Sequence, residues 1–522
     1  LVFTIPLPPQ LRGLFPNFLT NPFQLFACVT FSILLSVPWL FCIYHLVKHN
    51  IGKSARIKEA LNEESAPKVV VVMPCYHEIP EVLMHAIDSA CDSEYPKSCL
   101  HLLVSFDGSD VDELYLSTLS SLGMKLPLRE YPISIDLSYR GCRITVSRFV
   151  HGGKRHCQKK SFKLLDKIYA KYRLSRDDLF LLFIDSDIIL DKFCIQNFIY
   201  EMQLKNAAKE PSERDPDMLA MTGVITCTAE KRTFLTILQD IEYVHGQLFE
   251  RAVESACGSV TCLPGALTML RFSAFRNMAK YYFSDDAEQA EDMFDFGKCH
   301  LGEDRWLTHL FMLGARNRYQ IQLCTGAFCK TEAVLTYRSL MKQRRRWFLG
   351  FVTNEACMLT DIRLWKRYPM LCIVRFMQNT IRTTALLFLV MVMSVATGTQ
   401  TFTQLPLAFI GVSFGLNWVM MLFFGIRLHR LKAWLYPIMF VVNPFFNFSY
   451  MVYGVFTAGQ RTWGGPRADK AGDDEEVGKL DADEVFEPVD LVAKETAAGE
   501  ERRKKHLTIH PNDSVVGKFV AP

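Results

Sequence analysis

The sequence predicts an α/β domain with a largely parallel sheet, set between membrane-spanning helices. Short apolar stretches rich in Val, Leu, Ile and Phe alternate with helical patterns between residues 68 and 184, which is typical of buried parallel strands. Uncharged runs of about 20 residues lie near both ends of the chain, and such runs are long enough to cross a bilayer. The composition, 49% hydrophobic and 22% charged, suits a folded domain combined with membrane helices.

Four strands are predicted in the domain, at residues 68–73, 101–106, 143–149 and 179–184, with a helix at 81–91 between the first two. In sheets of this kind, ligands bind beyond the carboxyl ends of the strands. Tyr76, Asp107 and Asp185 stand at those ends. We therefore expect their side chains to meet at one edge of the sheet.

An acidic pair, Asp185 and Asp187, follows the fourth predicted strand. Two carboxylates at this spacing can bind a divalent cation and a sugar hydroxyl together, and Mg²⁺ and Mn²⁺ favour carboxylate and phosphate oxygens. Acidic pairs at strand ends are also common as turn formers or helix caps. The position directly after a buried strand favours the ligand-binding interpretation.

The glycine-led basic segment of residues 152–160, which is predicted to be a loop, contains Lys154 and Lys159. Its ammonium groups and backbone N–H groups could bind a diphosphate; a solvated basic loop is the alternative. The sequence lacks a Walker phosphate-binding loop, so ATP hydrolysis is not suggested.

Glu303 and Asp304 stand at the start of a predicted helix. They could be capping acids that the helix dipole stabilises, or one of them could act as a general base toward a sugar hydroxyl. Inverting transfer from a nucleotide sugar needs only one such base, so the paired carboxylates of a hydrolase are not required.

Candidate functional residues are most concentrated in the run Gln343-Arg344-Arg345-Arg346-Trp347. Guanidinium groups bind phosphates with a forked geometry, and an indole face can stack on a sugar ring. The alternative is a juxtamembrane basic patch attracted to anionic lipid. The two roles can coexist.

Three segments are predicted to span the membrane, residues 25–44, 383–404 and 405–426. Basic residues cluster just after residues 44 and 426, and the positive-inside rule then places the domain of residues 67–350 in the cytosol. Residues 351–382 are predicted to be an amphipathic interfacial segment. Residues 434–456 are apolar but contain Pro437 and Pro444, so we predict a broken interfacial helix there, with a simple fourth span as the alternative.

The two ends of the chain differ from the rest. The sequence begins at Leu1, so residues 1–24 are interpreted as the N-terminal segment of a fragment. Residues 468–522 are rich in charges of both signs, which predicts a disordered cytosolic tail. The net charge of +4 is too small to indicate a nucleic acid partner.

Taken in order, these motifs resemble those of processive family 2 glycosyltransferases, which include cellulose, hyaluronan and chitin synthases. The matching pieces are Pro74-Cys75-Tyr76-x-Glu78, Asp107-Gly108, Asp185-x-Asp187, Glu303-Asp304-Arg305 and Gln343-x-x-Arg346-Trp347. The segment Cys262-Leu263-Pro264-Gly265 and the triple arginine are similar to those of fungal chitin synthases. The resemblance covers about residues 69–467 and implies a GT-A-type domain inserted between transmembrane helices.

The resemblance implies a metal-dependent, inverting transfer of N-acetylglucosamine from UDP-N-acetylglucosamine to the growing end of a β-1,4-linked chitin chain, which is extruded across the membrane. It implies an integral protein of the plasma membrane with a cytosolic catalytic domain. The partners implied are the donor, the nascent chain and the lipid bilayer, and assembly into a homo-oligomer stays open.

On the donor side, the resemblance assigns the uridine contacts to Tyr76, Glu78 and Asp107. It assigns the diphosphate contacts to Lys159, or its neighbour Lys154, and to Arg346. It assigns the donor-sugar contact to Asp185. It assigns the divalent cation, Mg²⁺ or Mn²⁺, to Asp187 and the deprotonation of the acceptor hydroxyl to Asp304. The acceptor side is assigned to Gln343, Trp347, Glu303 and Gly265. The resemblance also implies that residues 457–467 form a gating segment, in which Trp463 and Arg467 are part of the gate.

Other functions fit part of this pattern. A related synthase, such as one that makes hyaluronan or another β-glycan, would share the motifs but use other donors. An inactive membrane scaffold would be expected to lose a carboxylate or Trp347, and none is missing. A transporter would need several discontinuous spans or inverted repeats, which we do not find in the sequence.

Overall fold

The structure is a computed structural model that describes residues 61–379, apart from 64, 127–130, 176, 230 and 285–291, together with residues 407–459, 489–490 and part of 38–47. Several predictions lie outside the described residues. These are the predictions for residues 1–24, most of 25–44, the span 383–404, the gate residues Trp463 and Arg467, and the tail 468–522 except 489–490.

The centre of the described fold is a mixed sheet. Its strands are, in chain order, β1 Lys68–Cys75, β2 Leu100–Asp107, β3 Ser134–Tyr139, β4 Cys142–Phe149, β5 Leu179–Phe183, β6 Ile189–Leu190, β7 Ala220–Thr228, β8 Thr268–Arg271, β9 Ile321–Glu332 and β10 Val489–Asp490. They are hydrogen-bonded in the order β10-β3-β4-β2-β1-β5-β8-β7-β9-β6. The four strands predicted from the sequence correspond to β1, β2, β4 and β5.

The helices lie on both faces of this sheet; most of them stand between its strands in the chain, and the last five come after β9. They are α1 Pro80–Cys91, α2 Glu113–Ser121, α3 Lys154–Ile168, α4 Ala170–Ser175, α5 Cys194–Ile199, α6 Phe234–His245, α7 Arg251–Ala256, α8 Phe272–Tyr282, α9 Met293–Phe296, α10 Glu303–Gly314, α11 Tyr337–Thr360, α12 Ile362–Arg367, α13 (described at 369–379), α14 Leu407–Arg427 and α15 Tyr436–Phe456.

The valine run of β1 shows why this strand lies in the middle of the sheet. β1 pairs in parallel with β2 on one side and with β5 on the other. Successive side chains point to opposite faces, so Val70 and Val72 belong to one apolar core, while Val69 and Val71 belong to the other. A strand buried on both faces must be apolar along its whole length, which is why this element is recognisable in the sequence.

Two sequence predictions about the domain need correction. The sheet is mixed rather than largely parallel, because β8 pairs antiparallel with both β5 and β7. Strands β7 and β9 carry Thr, Gly and Gln among their apolar residues, which hides the apolar run that marks a buried strand. The glycine-led basic segment is not a loop, since α3 begins at Lys154, directly after Gly153.

The C-terminal helices pack on the same core as the sheet. Met421 and Phe424 of α14 and Leu371 of α13 belong to the cluster that contains Val70 and Val72. Among the described residues one helical stretch, Leu431–Phe456, is long and apolar enough to cross a membrane. Within it, α15 continues through Pro444, so the break that we expected there is not seen; an internal proline removes one helical hydrogen bond and can bend a helix without ending it.

Arg430, in the turn after α14, ties these helices to the domain. Its guanidinium group donates to the Asp240 carboxylate and to the Cys227 carbonyl oxygen, each over 2.6 Å, and to the Thr226 hydroxyl over 2.8 Å. Asp240 lies on α6, whereas Thr226 and Cys227 lie on β7. The C-terminal helices are therefore held to the sheet by a charged contact as well as by apolar packing.

Candidate active site

The candidate site lies at the edge of the sheet where β1, β2 and β5 end. These strands are parallel, so their carboxyl ends share one edge. Tyr76 directly follows β1, Asp107 ends β2, and Asp185 is the second residue after β5. The structure therefore brings together the three side chains that the sequence placed at this edge.

Asp107 holds the turn that leads into α3. Its two carboxylate oxygens accept hydrogen bonds from the backbone N–H groups of Gly152, over 3.0 Å, and Gly153, over 2.9 Å. Gly153 has φ +84°, a backbone conformation that is easy only for glycine. The carboxylate thereby fixes the position at which α3 and its first residue, Lys154, begin.

An aromatic pair lies beside this carboxylate. The ring of Tyr76 stacks on that of His151, with centroids 4.8 Å apart, and His151 Nδ1 lies 3.1 Å from Asp107 Oδ2. Tyr76 is 36% exposed, and its ring also meets that of His77 edge to face, with centroids 4.2 Å apart. His151 was not among the residues assigned from the sequence.

Lys154 is the cation at the centre of the site. Its Nζ atom lies 2.7 Å from Asp185 Oδ1 and 3.7 Å from Glu303 Oε1. Burial lowers the pKa of this amine, but Asp185, Asp304 and Glu303 outweigh burial and hold the pKa well above its usual value. Lys154 therefore stays protonated among the carboxylates at neutral pH.

Lys159, which the resemblance put first for the diphosphate, lies five positions later on α3. At about 100° per residue, these two lysines project from different faces of the helix. Lys159 is half-buried. The described contacts thus bring Lys154 to the carboxylates of the site, and the assignment of Lys159 stays a prediction.

Asp304, in the first turn of α10, faces the same cluster. Burial and the neighbouring Glu303 raise its pKa, and Lys154 and the backbone N–H of Gly265 lower it, with a net rise to about 7. A Cβ atom at Gly265 would lie 2.7 Å from Lys154 Nζ and 3.2 Å from Asp304 Oδ1. The absence of a side chain at Gly265 is what allows the lysine and the carboxylate to approach the loop.

The loop that contains Gly265 is fixed at its start. Leu263 donates its backbone N–H to the hydroxyl of Thr308 on α10 over 2.8 Å, and Thr261 donates its backbone N–H to Glu254 over 2.8 Å. The predicted acceptor-side loop is thus tied to the helix that carries Asp304.

Glu78 and Asp187 are each held by hydroxyl groups. Glu78 Oε2 accepts from the Ser186 hydroxyl over 2.8 Å, which links the turn after β1 to the acidic pair after β5. Asp187 Oδ2 accepts from the Thr331 hydroxyl over 2.9 Å. Among the described residues, no group of three or more His, Cys, Asp or Glu side chains converges in a way that could hold a metal ion.

The arginines of α11 divide between different partners. Arg344 forms an ion pair with Glu242, at 2.7 Å, and its guanidinium group lies 4.1 Å from the centre of the Trp347 ring. Arg345 donates to the hydroxyl of Thr457, at the end of α15, over 2.7 Å and to its carbonyl oxygen. Arg346 is half-buried. The resemblance assigned a role only to Arg346, and the partners of Arg344 and Arg345 become visible only in the structure.

Gln343 and Trp347 lie on the same helix, four residues apart. Gln343 is 6% exposed, and its Oε1 atom is buried with no hydrogen-bond partner among the described residues. Trp347 is 37% exposed and meets the ring of Tyr243 edge to face, with centroids 6.1 Å apart. One residue therefore offers an unused acceptor atom and the other an accessible aromatic face.

Helices α10 and α11 touch through glycines. A Cβ atom at Gly302 would lie 2.7 Å from the carbonyl oxygen of Gly350, so neither position has room for a side chain. Asn354 donates to the carbonyl oxygens of Gly302, over 3.2 Å, and Gly350, over 2.8 Å. The start of the helix that carries Asp304 is thereby fixed against the helix that carries the arginines.

A network of buried ion pairs adjoins Arg305, the residue next to Asp304. Arg375, 1% exposed, pairs with Glu254 over 2.7 Å and also with Glu355. Arg305, next to Asp304, lies 3.4 Å from Glu355. Burial raises the pKa of Glu355, but Arg375 and Arg305 outweigh burial and hold that pKa below its usual range. This network has no short sequence motif, since its members lie 20 to 121 residues apart.

The chain is similar to several fungal enzymes over its whole length. It is 59% identical to chitin synthase D of Aspergillus fumigatus, over 100% of this chain and 70% of that protein. It is also 59% identical to chitin synthase G of Aspergillus niger, over 99% and 69%, and to chitin synthase 7 of Verticillium dahliae, over 100% and 76%.

A solved structure of a mannosyltransferase from Pyrobaculum calidifontis, in complex with GDP-Man and Mn²⁺, matches 80% of this chain and 98% of its own chain. The TM-score is 0.40 and the sequence identity 15%, so the likeness is too distant to support an argument. The sequence model for chitin synthase matches residues 180–501, which span the acidic pair, Asp304 and the arginine motif. By this match and by its identity to the fungal enzymes, the chain belongs to the chitin synthase family.

Proposed function

We propose that this chain transfers N-acetylglucosamine from UDP-N-acetylglucosamine to the growing end of a chitin chain by a single displacement with inversion. The observation that carries the proposal is the cluster of Asp304, Lys154 and Asp185 at Gly265. It combines a carboxylate of raised pKa, a protonated amine and a second carboxylate at the edge of the sheet.

Asp304 is the proposed base. A general base works best when its pKa lies near the working pH, and the pKa of Asp304 is raised to about 7. It would take the proton of the acceptor hydroxyl, and the acceptor oxygen would then attack the anomeric carbon of the donor. The bond from that carbon to the diphosphate breaks on the opposite side, which gives a β-linked product.

Tyr76, Asp107 and Lys154 form the proposed donor side. The exposed ring of Tyr76 can stack on the uracil base, and Asp107 holds the turn at which α3 begins. The amine of Lys154 at the start of α3 provides positive charge for the diphosphate, and the N-terminus of a helix adds a favourable dipole. Asp185 would then contact the donor sugar, with Glu78 and Arg346 as further donor contacts.

We assign the divalent cation to Asp187, with Asp185 as its neighbour in the acidic pair. Mg²⁺ is commonly held by one or two carboxylates together with substrate phosphates, and Thr331 keeps the Asp187 carboxylate in place. A cation bound there, Mg²⁺ or Mn²⁺, would stabilise the charge on the leaving diphosphate.

Gln343, Trp347 and Glu303 form the proposed acceptor side together with Gly265. The buried Oε1 atom of Gln343 can accept a hydrogen bond from a sugar hydroxyl. The exposed face of Trp347 can stack on a sugar ring. The predicted gate residues, Trp463 and Arg467, would close over the nucleotide from the segment that follows α15.

The proposal includes the location and membrane topology of the enzyme. We place a GT-A-type domain in the cytosol and the apolar helices in the plasma membrane, so that the product leaves across the bilayer. The apolar stretch Leu431–Phe456 supports this arrangement. The nascent chain and the bilayer are then partners, and a homo-oligomer is compatible with it.

The test is UDP release by the purified full chain in lipid, supplied with UDP-N-acetylglucosamine and Mg²⁺ or Mn²⁺. We expect an insoluble product that chitinase degrades, and loss of at least about a hundredfold in turnover for Asp304→Asn, since a general base typically contributes 10²–10⁴-fold. The matched control is Asp215→Asn, an exposed carboxylate on the surface. Turnover of UDP-glucose or UDP-glucuronate instead would contradict the substrate, and full activity of Asp304→Asn would contradict the base.

A further inference from the structure

A basic pocket lies at the opposite end of α10 from Asp304. It is an open depression of about 490 Å³ in the surface, between the loop after α10 and helix α12. Its lining residues are all polar, and five of the six are cationic: Arg316, Asn317, Arg318, Arg363, Lys366 and Arg367. The pocket is separate from the candidate active site, because α10 is 12 residues long and so spans about 18 Å.

Three of these cations have partners within the protein. Arg363 forms a two-point ion pair with Asp361. Arg367 donates to the carbonyl oxygens that end α10, and Arg318 donates to the Arg367 carbonyl oxygen over 2.6 Å. These contacts build the walls of the pocket.

Arg316 and Lys366 are different. Both side chains are exposed, and among the described residues no acidic side chain forms an ion pair with either of them. The pocket therefore presents two cationic groups to a ligand from the solvent side, on a frame that the other arginines hold in place.

Apolar side chains are exposed on α12, which lines the pocket, and on the next helix, α13. Ile362, 64% exposed, lies four residues before Lys366 on α12, so the two share one face of the helix. Met370 and Ile373 on α13 are 44% and 43% exposed, whereas Leu371 and Val374 on the other side of α13 are buried in the core. In the sequence, Met370 and Ile373 lie shortly before the uncharged residues 383–404.

We propose that this pocket binds the phosphate headgroup of an anionic phospholipid of the cytosolic leaflet. Basic groups near such a surface attract its negative charge, and an arginine binds phosphate oxygens through several donors at once. The exposed Ile362, Met370 and Ile373 would enter the interface beside the headgroup, as in amphipathic helices that lie on membranes. A soluble phosphate compound would gain nothing from these apolar neighbours.

The bound lipid would touch the frame of the catalytic helix. Arg367 contacts the last carbonyl groups of α10, and α10 begins with Glu303 and Asp304. The lipid would thus set the height and tilt of the catalytic domain over the bilayer. The inference requires that the chain lie at a membrane, as proposed above, but it is independent of the sugar that is transferred.

The test measures lipid binding directly, so that it does not depend on turnover. The detergent-solubilised full chain is titrated with fluorescent phosphatidylserine and, separately, with fluorescent phosphatidylcholine. The variant is the pair Arg316→Gln and Lys366→Gln, and the matched control is the pair Arg316→Lys and Lys366→Arg, which keeps both charges. The loop is expected to keep its shape, because Gln320 Oε1 accepts from the backbone N–H groups of residues 316 and 317, each over 2.9 Å.

We expect the wild-type chain to bind phosphatidylserine at least tenfold more tightly than phosphatidylcholine. Each basic residue near an anionic lipid contributes about fivefold, so the uncharged pair should bind phosphatidylserine roughly thirtyfold more weakly, while the charge-keeping pair should bind like the wild type. Equal binding of phosphatidylserine by the uncharged pair would overturn the proposal. Displacement of the lipid by millimolar inorganic phosphate would overturn it as well, since the site would then be a general anion site.

Discussion

The amine of Lys154 and the carboxylate of Asp185 lie 2.7 Å apart, at the start of α3 and just beyond the end of β5. This contact joins a helix and a strand that are separate in the sequence. It also places a positive charge beside Asp304 before any substrate is bound, which has consequences for the pH dependence of the reaction.

The first prediction concerns the pH profile. Asp304 can accept a proton only when it is ionised, and its pKa is raised to about 7, so turnover should rise with pH through about 7 and then level off. Lys154 lowers that pKa, so Lys154→Met should shift the midpoint to higher pH by about one unit. The measurement is UDP release at saturating donor between pH 5.5 and 9.

The matched control for this prediction is Lys159→Met on the same helix. It removes the same charge from a position that lies on another face of α3, so the midpoint should stay where it is in the wild type. A midpoint that moves equally in both variants would show a general effect of charge and not a contact between Lys154 and Asp304.

The second prediction concerns stability. The pKa of Asp304 in the folded chain lies above that of a free aspartate, so the folded state binds the proton more tightly than the unfolded state. Stability from this group is complete below the usual aspartate pKa of 3.8, falls as pH rises above that value, and is lost once pH has passed about 7. Asp304→Asn should therefore raise the melting temperature by a few degrees at about pH 8 and leave it nearly unchanged at about pH 3.5. A rise of equal size at both pH values would contradict the raised pKa.

The third prediction tests the close approach at Gly265. In Gly265→Ala the new methyl group would meet Lys154 Nζ at 2.7 Å, and the flexible end of the lysine can move away. We expect turnover to fall by about tenfold or more, since small displacements of catalytic groups cost up to about 10², with little change in melting temperature. The control is Gly246→Ala, because nothing lies within 4 Å of a Cβ atom there. Normal turnover in Gly265→Ala would mean that the lysine position is not important.

The fourth prediction tests the aromatic pair. Stacking of a base on an aromatic ring contributes about 1–3 kcal/mol, so Tyr76→Ala should weaken UDP binding between about fivefold and 150-fold. Tyr76→Phe keeps the ring that lies 4.8 Å from His151 and should bind UDP nearly as well as the wild type. Calorimetric titration with UDP measures both variants. Equal weakening in the two would assign the effect to the hydroxyl group.

The fifth prediction concerns the buried ion network. Arg375→Met would leave the carboxylates of Glu254 and Glu355 buried without their main cation, which typically costs about 3–5 kcal/mol. We expect a large fall in melting temperature. In the control, Arg276→Met breaks an exposed ion pair with Asp166, which is worth about 0–1 kcal/mol. A similar, small effect in both variants would show that the network adds little to stability.

The parts of the fold that could be predicted are those in which one residue pattern decides the structure. The valines of β1 allow no other placement than a buried strand, and Glu303 and Asp304 do stand at a helix start. Strand β9 was missed because Gln322 and Thr325 interrupt its apolar residues, although both are buried. Only tertiary contacts, such as that of Gln322 with Ser255 at 2.6 Å, make such polar residues fit a core.

The candidate site, like the fold, could be predicted where a sequence motif decides it and not where distant contacts do. The order of the acidic motifs indicated which side chains would meet, and the structure brings Asp185, Glu303 and Asp304 to one lysine. The partners of Arg344 and Arg345 could not be read from the sequence, because Glu242 and Thr457 lie about a hundred residues away on either side. Three adjacent identical residues differ in role only through the surfaces that surround them.

The contact between Gly302 and Gly350 has a consequence for how such an enzyme can change over time. The helix that would activate the incoming sugar and the helix that would bind the departing phosphates meet backbone to backbone, and the Asn354 amide donates to the carbonyl oxygens of both glycines. Neither helix can shift by itself. A change in the substrate must therefore come from the loops and the surface of the pocket, while the spacing between attack and departure stays constant.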